Sequence, residues 1–335
     1  MDFVSGKILT IDGLQKGYLG FNKKKILEVG RGIPSKKPIA KGLIIPTFVN
    51  AHTHIGDSFI KDKNINLPKD VKELVGPDGL KFKLLIEASD IDLIEGMKKS
   101  IDIMLKSGTN LFCDFREGGI IGISYLKTAL DCRSISSVIL SRPKSQNYDK
   151  NEIDLLLRNS EGIGLSSISD WDYSKMMKIA KDTKKRKKIF AIHASERVRE
   201  DIDLILDLKP DFLVHMINAT KSDLIRVKEN KVPVVVCPRS NAFYNLKPNI
   251  PLLKEIGVDL LLGTDNAMLN STNILDEINF FIKNFNEYSL LEILHMVTYS
   301  ARKVLNHKCD ILCPNSEAEF IVLDEKSLQP LYLSI

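Results

Sequence analysis

Apolar runs rich in Val, Ile and Leu recur through the middle of the chain and alternate with segments of helical periodicity. Such runs are typical of strands buried on both faces, as in a parallel sheet. Eight are predicted, at Ile44–Ala51, Asn110–Phe115, Ser134–Leu140, Gly162–Ser166, Ile189–His193, Phe212–His215, Pro233–Cys237 and Asp259–Gly263. The main helices between them are predicted at Asp90–Ser107, Asp149–Arg158, Arg199–Leu208, Thr220–Glu229 and Ile274–Asn284. This alternation predicts an α/β fold, a (β/α)8 barrel of the TIM type.

The two ends of the chain have a different pattern, with short β-segments separated by turn residues. Strands are predicted at Lys7–Ile11, Gly17–Phe21 and Ile26–Val29 near the start, and at Glu319–Asp324 near the end. Both ends are therefore β-rich, and the predicted barrel lies between them.

Composition adds few constraints. The chain has 335 residues, of which 44% are hydrophobic and 27% are charged, as in an ordinary globular protein. The net charge of +5 is too small and too dispersed to indicate a nucleic-acid partner. The one dense basic run, Lys184–Lys188, follows a helical stretch, where cations complement the helix dipole.

The five cysteines have no regular spacing, and Cys113 and Cys237 lie inside apolar strands. This usage favours a reduced, cytoplasmic protein. The N-terminal residues lack the pattern of a signal peptide, and no apolar stretch approaches the ~18 residues of a membrane span. We therefore expect no membrane association.

His52-Thr53-His54 closes the first predicted strand, in the string IIPTFVNAHTH. Side chains two residues apart on a strand point the same way, so two imidazoles here can bind one metal ion. Taken alone, the pair is also compatible with two unrelated histidines.

Three more candidate groups end predicted strands: His193 the fifth, His215 the sixth and Asp265 the eighth. Each has a simpler explanation, since His193 could be a core histidine and Asp265 could cap the following helix. Catalytic groups of barrel enzymes collect at the C-terminal ends of the strands. The combination therefore favours one central metal site.

These motifs resemble the amidohydrolase superfamily over nearly the whole chain. HxxE at His193–Glu196, with SGTNLFCD and CPRSN, is similar to the branch of cytosine, guanine and S-adenosylhomocysteine deaminases and triazine chlorohydrolases. The resemblance implies a small β-sandwich built from both termini, residues 1–45 plus 309–335, beside a hydrolase barrel, residues 46–308.

The resemblance also implies the metal ligands His52, His54, His193 and Asp265. Two-metal members of the superfamily bridge their ions with a carbamylated lysine on the fourth strand, but here that strand reads GIGLSS. We therefore expect one divalent metal. Imidazole and carboxylate ligands favour zinc, with iron as the alternative.

Catalytic roles follow from the same resemblance. Asp265 would take a proton from a metal-activated water, and Glu196 would protonate the ring nitrogen beside the attacked carbon. His215 would orient the attacking oxygen and stabilise the tetrahedral intermediate. The predicted enzyme is an aminohydrolase (deaminase) that releases ammonia from a nitrogen heterocycle, such as a purine, pterin or pyrimidine derivative.

Four arginines follow strand ends: Arg116, Arg142, Arg197 and Arg239. Any one could be a surface or capping residue, but guanidinium groups bind carboxylates and phosphates in bidentate fashion. Together they favour a substrate with an anionic arm, and Asn241 of PRSN is predicted to hold the ring.

Two other functions remain open. The same site could open the ring of a cyclic amide or amidine, as in imidazolone hydrolysis, which releases no ammonia directly. A non-catalytic binding protein on this fold is a further alternative, although it would be expected to have lost ligands. Triazine dechlorination would need a specialised substrate. Homo-oligomerisation is possible, and the loop at residues 55–83 has no assigned role.

Overall fold

The computed structural model describes residues 1–334 and contains two β-sheets. The strands are β1 (Asp2–Thr10), β2 (Gly13–Phe21), β3 (Ile26–Gly30), β4 (Ala40–Pro46), β5 (Phe48–His54), β6 (Thr109–Arg116), β7 (Ser136–Ser141), β8 (Gly162–Leu165), β9 (Ile189–Ala194), β10 (Phe212–His215), β11 (Val234–Val236), β12 (Leu260–Leu262), β13 (Asp265–Asn266), β14 (Phe320–Leu323) and β15 (Pro330–Ser334).

The helices lie mostly between the strands of the larger sheet. They are α1 (Val71–Val75), α2 (Leu80–Glu87), α3 (Asp90–Lys106), α4 (Gly119–Leu130), α5 (Lys150–Asn159), α6 (Tyr173–Lys185), α7 (Ile202–Asp207), α8 (Lys221–Glu229), α9 (Pro238–Phe243), α10 (Ile250–Ile256), α11 (Ile274–Asn284), α12 (Leu290–Met296) and α13 (Tyr299–Val304). Two 3-10 helices, Ile55–Lys63 and Ile168–Asp170, follow β5 and β8. Among the described residues no helix combines the length and the apolar character needed to cross a membrane.

The larger sheet is the predicted barrel. Strands β5 to β12 follow one another in chain order and pair in parallel. After β12 the chain passes through Gly263 and Thr264 into β13, which pairs with β5 so that Asn266 lies opposite His54. The two edges of the sheet therefore meet, and the (β/α)8 fold is confirmed.

The first predicted strand, Ile44–Ala51, is wrong as a single element, because it contains parts of two strands. Strand β4 ends at Pro46 in the smaller sheet, and β5 begins at Phe48 in the barrel. The change of sheet is visible in the backbone hydrogen bonds, since the Thr47 N–H donates to Glu319 while the Phe48 N–H donates to Gly108. Proline suits this point because it has no N–H to donate to a ladder.

The smaller sheet is built from both ends of the chain. Its six strands lie in the order β15-β14-β4-β1-β2-β3, with β1 parallel to β4 and the other neighbours antiparallel. Gly6, at φ +145°, lies against Gly42, and a Cβ there would come within 1.8 Å of the Gly42 carbonyl oxygen. Phe21 and Phe320 meet edge to face in the core on one side of this sheet.

The two sheets share one hydrophobic core. Leu9, Leu43 and Ile45 of the smaller sheet belong to the same buried cluster as Phe48 and Leu262 of the barrel. The division into residues 1–45 plus 309–335 and residues 46–308 stays a prediction.

Candidate active site

The candidate site lies at the C-terminal ends of the barrel strands, where the backbone turns sharply. His215 and Asp265 have left-handed backbone angles, with φ of 79° and 59°, and Ser195 has φ of 47°. A non-glycine residue in this region costs on the order of 1–3 kcal/mol, and such residues cluster at functional sites. Here the turns direct the side chains at the strand ends towards one point.

Three imidazoles and one carboxylate meet at that point, and all four are buried. The Nε2 atom of His193 lies 3.2 Å from Nε2 of His52 and 3.3 Å from Nε2 of His54. The Asp265 Oδ1 atom lies 3.3 Å from His52 Nε2 and 3.7 Å from His54 Nε2.

The protons of two of these rings can be assigned from their other nitrogens. His54 Nδ1 donates to Glu117 Oε1 at 2.8 Å, and His193 Nδ1 donates to the Leu165 carbonyl oxygen at 2.9 Å. Burial, with Lys81 next in effect, lowers the pKa of His54 to about 3. Burial also lowers the pKa of His193 well below its usual range. Both rings are therefore neutral, and the Nε2 atoms that meet at 3.3 Å both carry lone pairs.

Two facing lone pairs at 3.3 Å repel each other unless a cation lies between them. Around a tetrahedral zinc with bonds of ~2.0–2.1 Å, neighbouring ligand atoms are about 3.4 Å apart. The separations of 3.2–3.7 Å fit that geometry. The donor set is thus suited to a divalent metal.

His215 also reaches this cluster, since its ring nitrogen and ligand atoms of His52, His193 and Asp265 all lie within 4.8 Å of one another. Its own contacts distinguish it from His54. The Asn241 amide nitrogen lies 3.4 Å from Nδ1, and Glu196 Oε1 lies 3.4 Å from Nε2. With Asn241 donating to Nδ1, the ring carries its proton on Nε2, which suits a hydrogen-bond donor to a reacting oxygen.

The two carboxylic acids of the site have opposite tendencies. Burial opposes ionisation of Asp265, but hydrogen bonds to both of its carboxylate oxygens favour the ionised form. Ser240 donates to its Oδ2 at 2.5 Å and Asn266 to its Oδ1 at 3.0 Å. By contrast, burial raises the pKa of Glu196, with His215 opposing the shift. Glu196 is therefore the better proton donor.

Two of the four predicted arginines line the cavity beside these groups. Arg142 and Arg197 contact a cavity of about 70 Å³, together with Glu196, His54, His193, His215 and Asp265. Arg197 lies 3.5 Å from Asp170, whereas Arg142 donates only to the Gly164 carbonyl oxygen, at 3.5 Å. Arg142 is thus a cation available to a ligand.

The structure does not bring Arg116, Arg239 or Asn241 to this cavity. Arg116 is 2% exposed and bonded to Glu117, with Nη2 2.7 Å from Oε2. Arg239 donates to the Ser271 carbonyl oxygen at 3.3 Å. Asn241 is buried against His215 and supports that ring. Their contact with substrate stays a prediction, because a strand-end position does not determine which way a long side chain turns.

A second cavity of about 450 Å³ continues from the first. The two share lining residues, including Glu117, Arg142 and Asp170. Lys144 and Trp171 contribute to the outer cavity. A ligand that fills the inner cavity can therefore extend past Arg142.

Several residues of the site were missed by sequence reasoning. Glu117 directly follows Arg116 after β6, and its position at a strand end could have identified it. Ser240 and Asn266 adjoin predicted residues in the same motifs. Lys81 gave no local signal, because it lies on a short helix away from any strand end.

The barrel carries at its strand ends a cluster of histidines and an aspartate that could hold a metal ion. Residues 43–334 match the Amidohydrolase family, and the chain belongs to that family. The resemblance stated from the motifs is thereby confirmed, and the protein is a hydrolase acting on C–N bonds.

Two relatives illustrate the range of similarity. An uncharacterized protein of Methanocaldococcus jannaschii is 39% identical over 323 residues, covering 90% of this chain and 80% of that protein. A 5-methylthioadenosine/S-adenosylhomocysteine deaminase of Clostridium tetani is 25% identical over 363 residues, covering 93% of this chain and 81% of that protein.

The solved structure of Helicobacter pylori aminofutalosine deaminase in complex with methylthio-coformycin is similar in fold. Its TM-score is 0.73 at 16% sequence identity, covering 97% of this chain and 92% of that one. At this identity the similarity shows the fold alone.

Proposed function

We propose that the protein is a mononuclear metal-dependent deaminase, which replaces an amino group on a nitrogen heterocycle by an oxygen from water and releases ammonia. The observation that carries the proposal is the pair of facing Nε2 lone pairs on His54 and His193, beside Asp265. Glu196 and His215, the two groups needed for proton transfer, border the same cavity.

The proposed ligands are the Nε2 atoms of His52, His54 and His193 and a carboxylate oxygen of Asp265. Zinc suits three imidazoles and a carboxylate, with iron as the alternative. Strand β8, Gly162–Leu165, contains no lysine that could bridge a second ion. A bound divalent metal supplies acidity, lowering the pKa of a coordinated water to about 7.

Three residues of the chain have different roles in the proposed reaction. Asp265, held ionised, accepts a proton from the water. Glu196 donates a proton to the ring nitrogen beside the attacked carbon, which makes that carbon electrophilic. His215 donates its Nε2–H to the new oxygen as negative charge develops there. The proton held on Asp265 then passes to the amino nitrogen, the new hydroxyl returns a proton to Glu196 as the carbonyl forms, and the C–N bond breaks to release ammonia.

The inner cavity is small, so we propose that the heterocycle occupies it and that a further part of the substrate extends into the outer cavity. Arg142 lies where the two cavities meet. Its unpaired guanidinium suits a carboxylate or phosphate on that extension. The named substrates of the Clostridium tetani relative make aminated purine nucleosides the first class to test.

Ammonia release tests the proposed reaction. Metal-loaded protein is incubated with aminated purines, pyrimidines and pterins, each with and without an anionic arm. We expect release from at least one purine derivative, with loss of activity after chelation. If no member of the panel releases ammonia while the metal is bound, the deaminase proposal fails, and ring opening of cyclic amides becomes the reaction to assay.

The anionic arm has its own test. Arg142→Met should raise KM for the carboxylate- or phosphate-bearing substrate by roughly 10–100-fold, since a charge-assisted bond of about 1.5–3 kcal/mol is lost. KM for the uncharged analogue should change by less than about threefold. Arg158→Met, at an exposed site, is the control. An equal rise in KM for both substrates would show that Arg142 does not bind the anionic group.

A cytoplasmic location is part of the proposal. It is supported by the five cysteines, none of which forms a disulfide in the described part of the chain.

A further inference from the structure

Helix α2 contributes one buried side chain, and that side chain is a lysine. Lys81 is 2% exposed, while Lys83 on the same helix is exposed. Lysines are almost never fully buried unless their charge is paired. The α1–α2 segment, residues 71–87, also lines the inner cavity through Val71, Val75 and Phe82. Lys81 therefore adds a buried polar contact to a segment that also packs through Val71 and Leu74 in an apolar cluster with Phe59 and Ile60.

The Lys81 ammonium makes two hydrogen bonds and one ion pair. It donates to Glu117 Oε1 at 2.8 Å and to Asn266 Oδ1 at 3.0 Å, and it lies 3.3 Å from Asp57 Oδ2. Each acceptor comes from a different part of the barrel end.

Two of these acceptors hold proposed metal ligands. Glu117 Oε1 also accepts from His54 Nδ1 at 2.8 Å, and that bond sets the orientation of the ring and the position of its proton. Asn266 donates its Nδ2 to Asp265 Oδ1 at 3.0 Å. Lys81 therefore contacts two residues that each hydrogen-bond to a proposed ligand. The two ligands, His54 and Asp265, belong to different strands.

This position is also where the barrel closes, because Asn266 of β13 pairs with His54 of β5. No other part of the chain is needed to connect Glu117 and Asn266, since the single ammonium contacts both. Partners of ligands in this arrangement orient the first ligands and typically change metal affinity by about 10–100-fold when removed.

We propose that Lys81 is a positioning residue that couples the α1–α2 segment to the metal site, holding His54 through Glu117 and Asp265 through Asn266. The proposal rests on the proposed function, because it takes His54 and Asp265 as ligands. It predicts that docking of residues 71–87 and metal affinity change together.

Zinc affinity and segment mobility test this coupling without any substrate. Zinc binding is measured by competition with a chelator, and amide hydrogen exchange is followed in residues 71–87. Lys81→Met should weaken zinc binding by about 10–100-fold and speed exchange in the segment. Lys83→Met, the matched control on the same helix, should change neither. Wild-type affinity and wild-type exchange in Lys81→Met would overturn the inference.

A second variant tests the route through Glu117. Glu117→Gln should also weaken zinc binding, and the double variant Lys81→Met/Glu117→Gln should lose less affinity than the two single losses combined, because the route through Glu117 is shared. The loss that Lys81→Met still adds is that of the route through Asn266. Full additivity would show that Lys81 does not act through Glu117. If Lys81→Met does not fold, Lys81→Gln, which keeps an uncharged amide with two N–H donors, takes its place.

The two proposals fail in different ways. Wild-type protein that binds no zinc would contradict the metal site itself. Wild-type protein that binds zinc, with Lys81→Met equal to it, would contradict only the positioning role. Thermal melts of each variant separate a loss of metal affinity from a general loss of stability.

Discussion

At the scale of single residues, the role of each histidine in the site depends on the hydrogen-bond partner of its second ring nitrogen. His54 and His193 are similar in sequence context to His215, but their Nδ1 atoms donate to Glu117 and to a carbonyl oxygen. Their Nε2 atoms are thereby free to bind metal. In His215 both ring nitrogens lie near protein groups, Nδ1 near the Asn241 amide and Nε2 near Glu196. Its Nε2–H can therefore act as a hydrogen-bond donor.

Glu196 is the residue whose removal should separate metal binding from catalysis. Burial raises its pKa, so it retains a proton nearer to neutral pH than an exposed glutamate would. Glu196→Gln should lower kcat by about 10²–10⁴-fold, the usual contribution of a general acid, and leave the metal content unchanged. Steady-state kinetics and metal analysis measure the two effects.

Glu229→Gln, at an exposed position on α8, is the control for this substitution. If Glu196→Gln keeps near wild-type kcat, the proton donor is another group. If it loses metal as well as activity, Glu196 stabilises the metal ligands and is not shown to be the proton donor.

At the scale of elements, short local patterns account for most helix starts. Ser89, Asp149 and Thr220 each precede a helix and accept hydrogen bonds from its first turn. These caps are visible in the sequence, which is why the predicted helices lie close to α3, α5 and α8. What the sequence does not reveal is how neighbouring elements are tied together.

Asp223 provides one such tie, because it caps α8 and pairs with Arg199 of the loop between β9 and α7. Both Arg199–Asp223 hydrogen bonds are 2.8 Å long. They lower the pKa of Asp223 to about 2, against burial and with help from Thr220. Because the folded pKa lies below the unfolded value, this stabilisation is present above about pH 4 and is lost as pH falls through 2.

Asp223→Asn should therefore lower the free energy of unfolding by about 1 kcal/mol at pH 7, a value reduced because Arg199 is half exposed. The difference from wild type should shrink towards pH 2–3. Denaturant unfolding at several pH values measures it. Asp203→Asn breaks an ion pair whose partners are both exposed, and it should change stability by only a few tenths of a kcal/mol. A pH-independent difference at Asp223 would contradict the ion-pair explanation.

At the scale of the whole molecule, a buried arginine connects the barrel to the smaller sheet. Arg302 on α13 donates to Thr47 Oγ1 at 2.7 Å and to Asn110 Oδ1 at 3.0 Å. Thr47 is the residue between the two sheets. Together with the shared core, this contact indicates that the two sheets unfold as one unit.

Arg302→Met should leave Thr47 and Asn110 with weakened hydrogen bonding and cost about 1–3 kcal/mol. We expect a single thermal transition for wild type and variant, with Tm lowered by roughly 1–4 °C in the variant. Differential scanning calorimetry makes the measurement, and Lys303→Met, exposed on the same helix, is the control. Two separate transitions in the wild type would instead support two independent domains.

The sequence by itself determined the barrel, the β-rich ends and the residues at the strand ends, because periodicity and residue type act over a few neighbouring positions. His52, His54, His193, His215 and Asp265 could be identified in this way, since a strand end specifies where a side chain begins. It does not specify where a long side chain finishes.

Only the tertiary structure decided which groups meet across the strand ends. Arg116 turns into an ion pair with Glu117, while Arg142 stays free at the cavity. Lys81 joins Glu117 and Asn266, which lie 36 and 185 residues away along the chain. The partners of these side chains depend on burial and on charges brought together by closure of the barrel. Local sequence patterns predict neither of these.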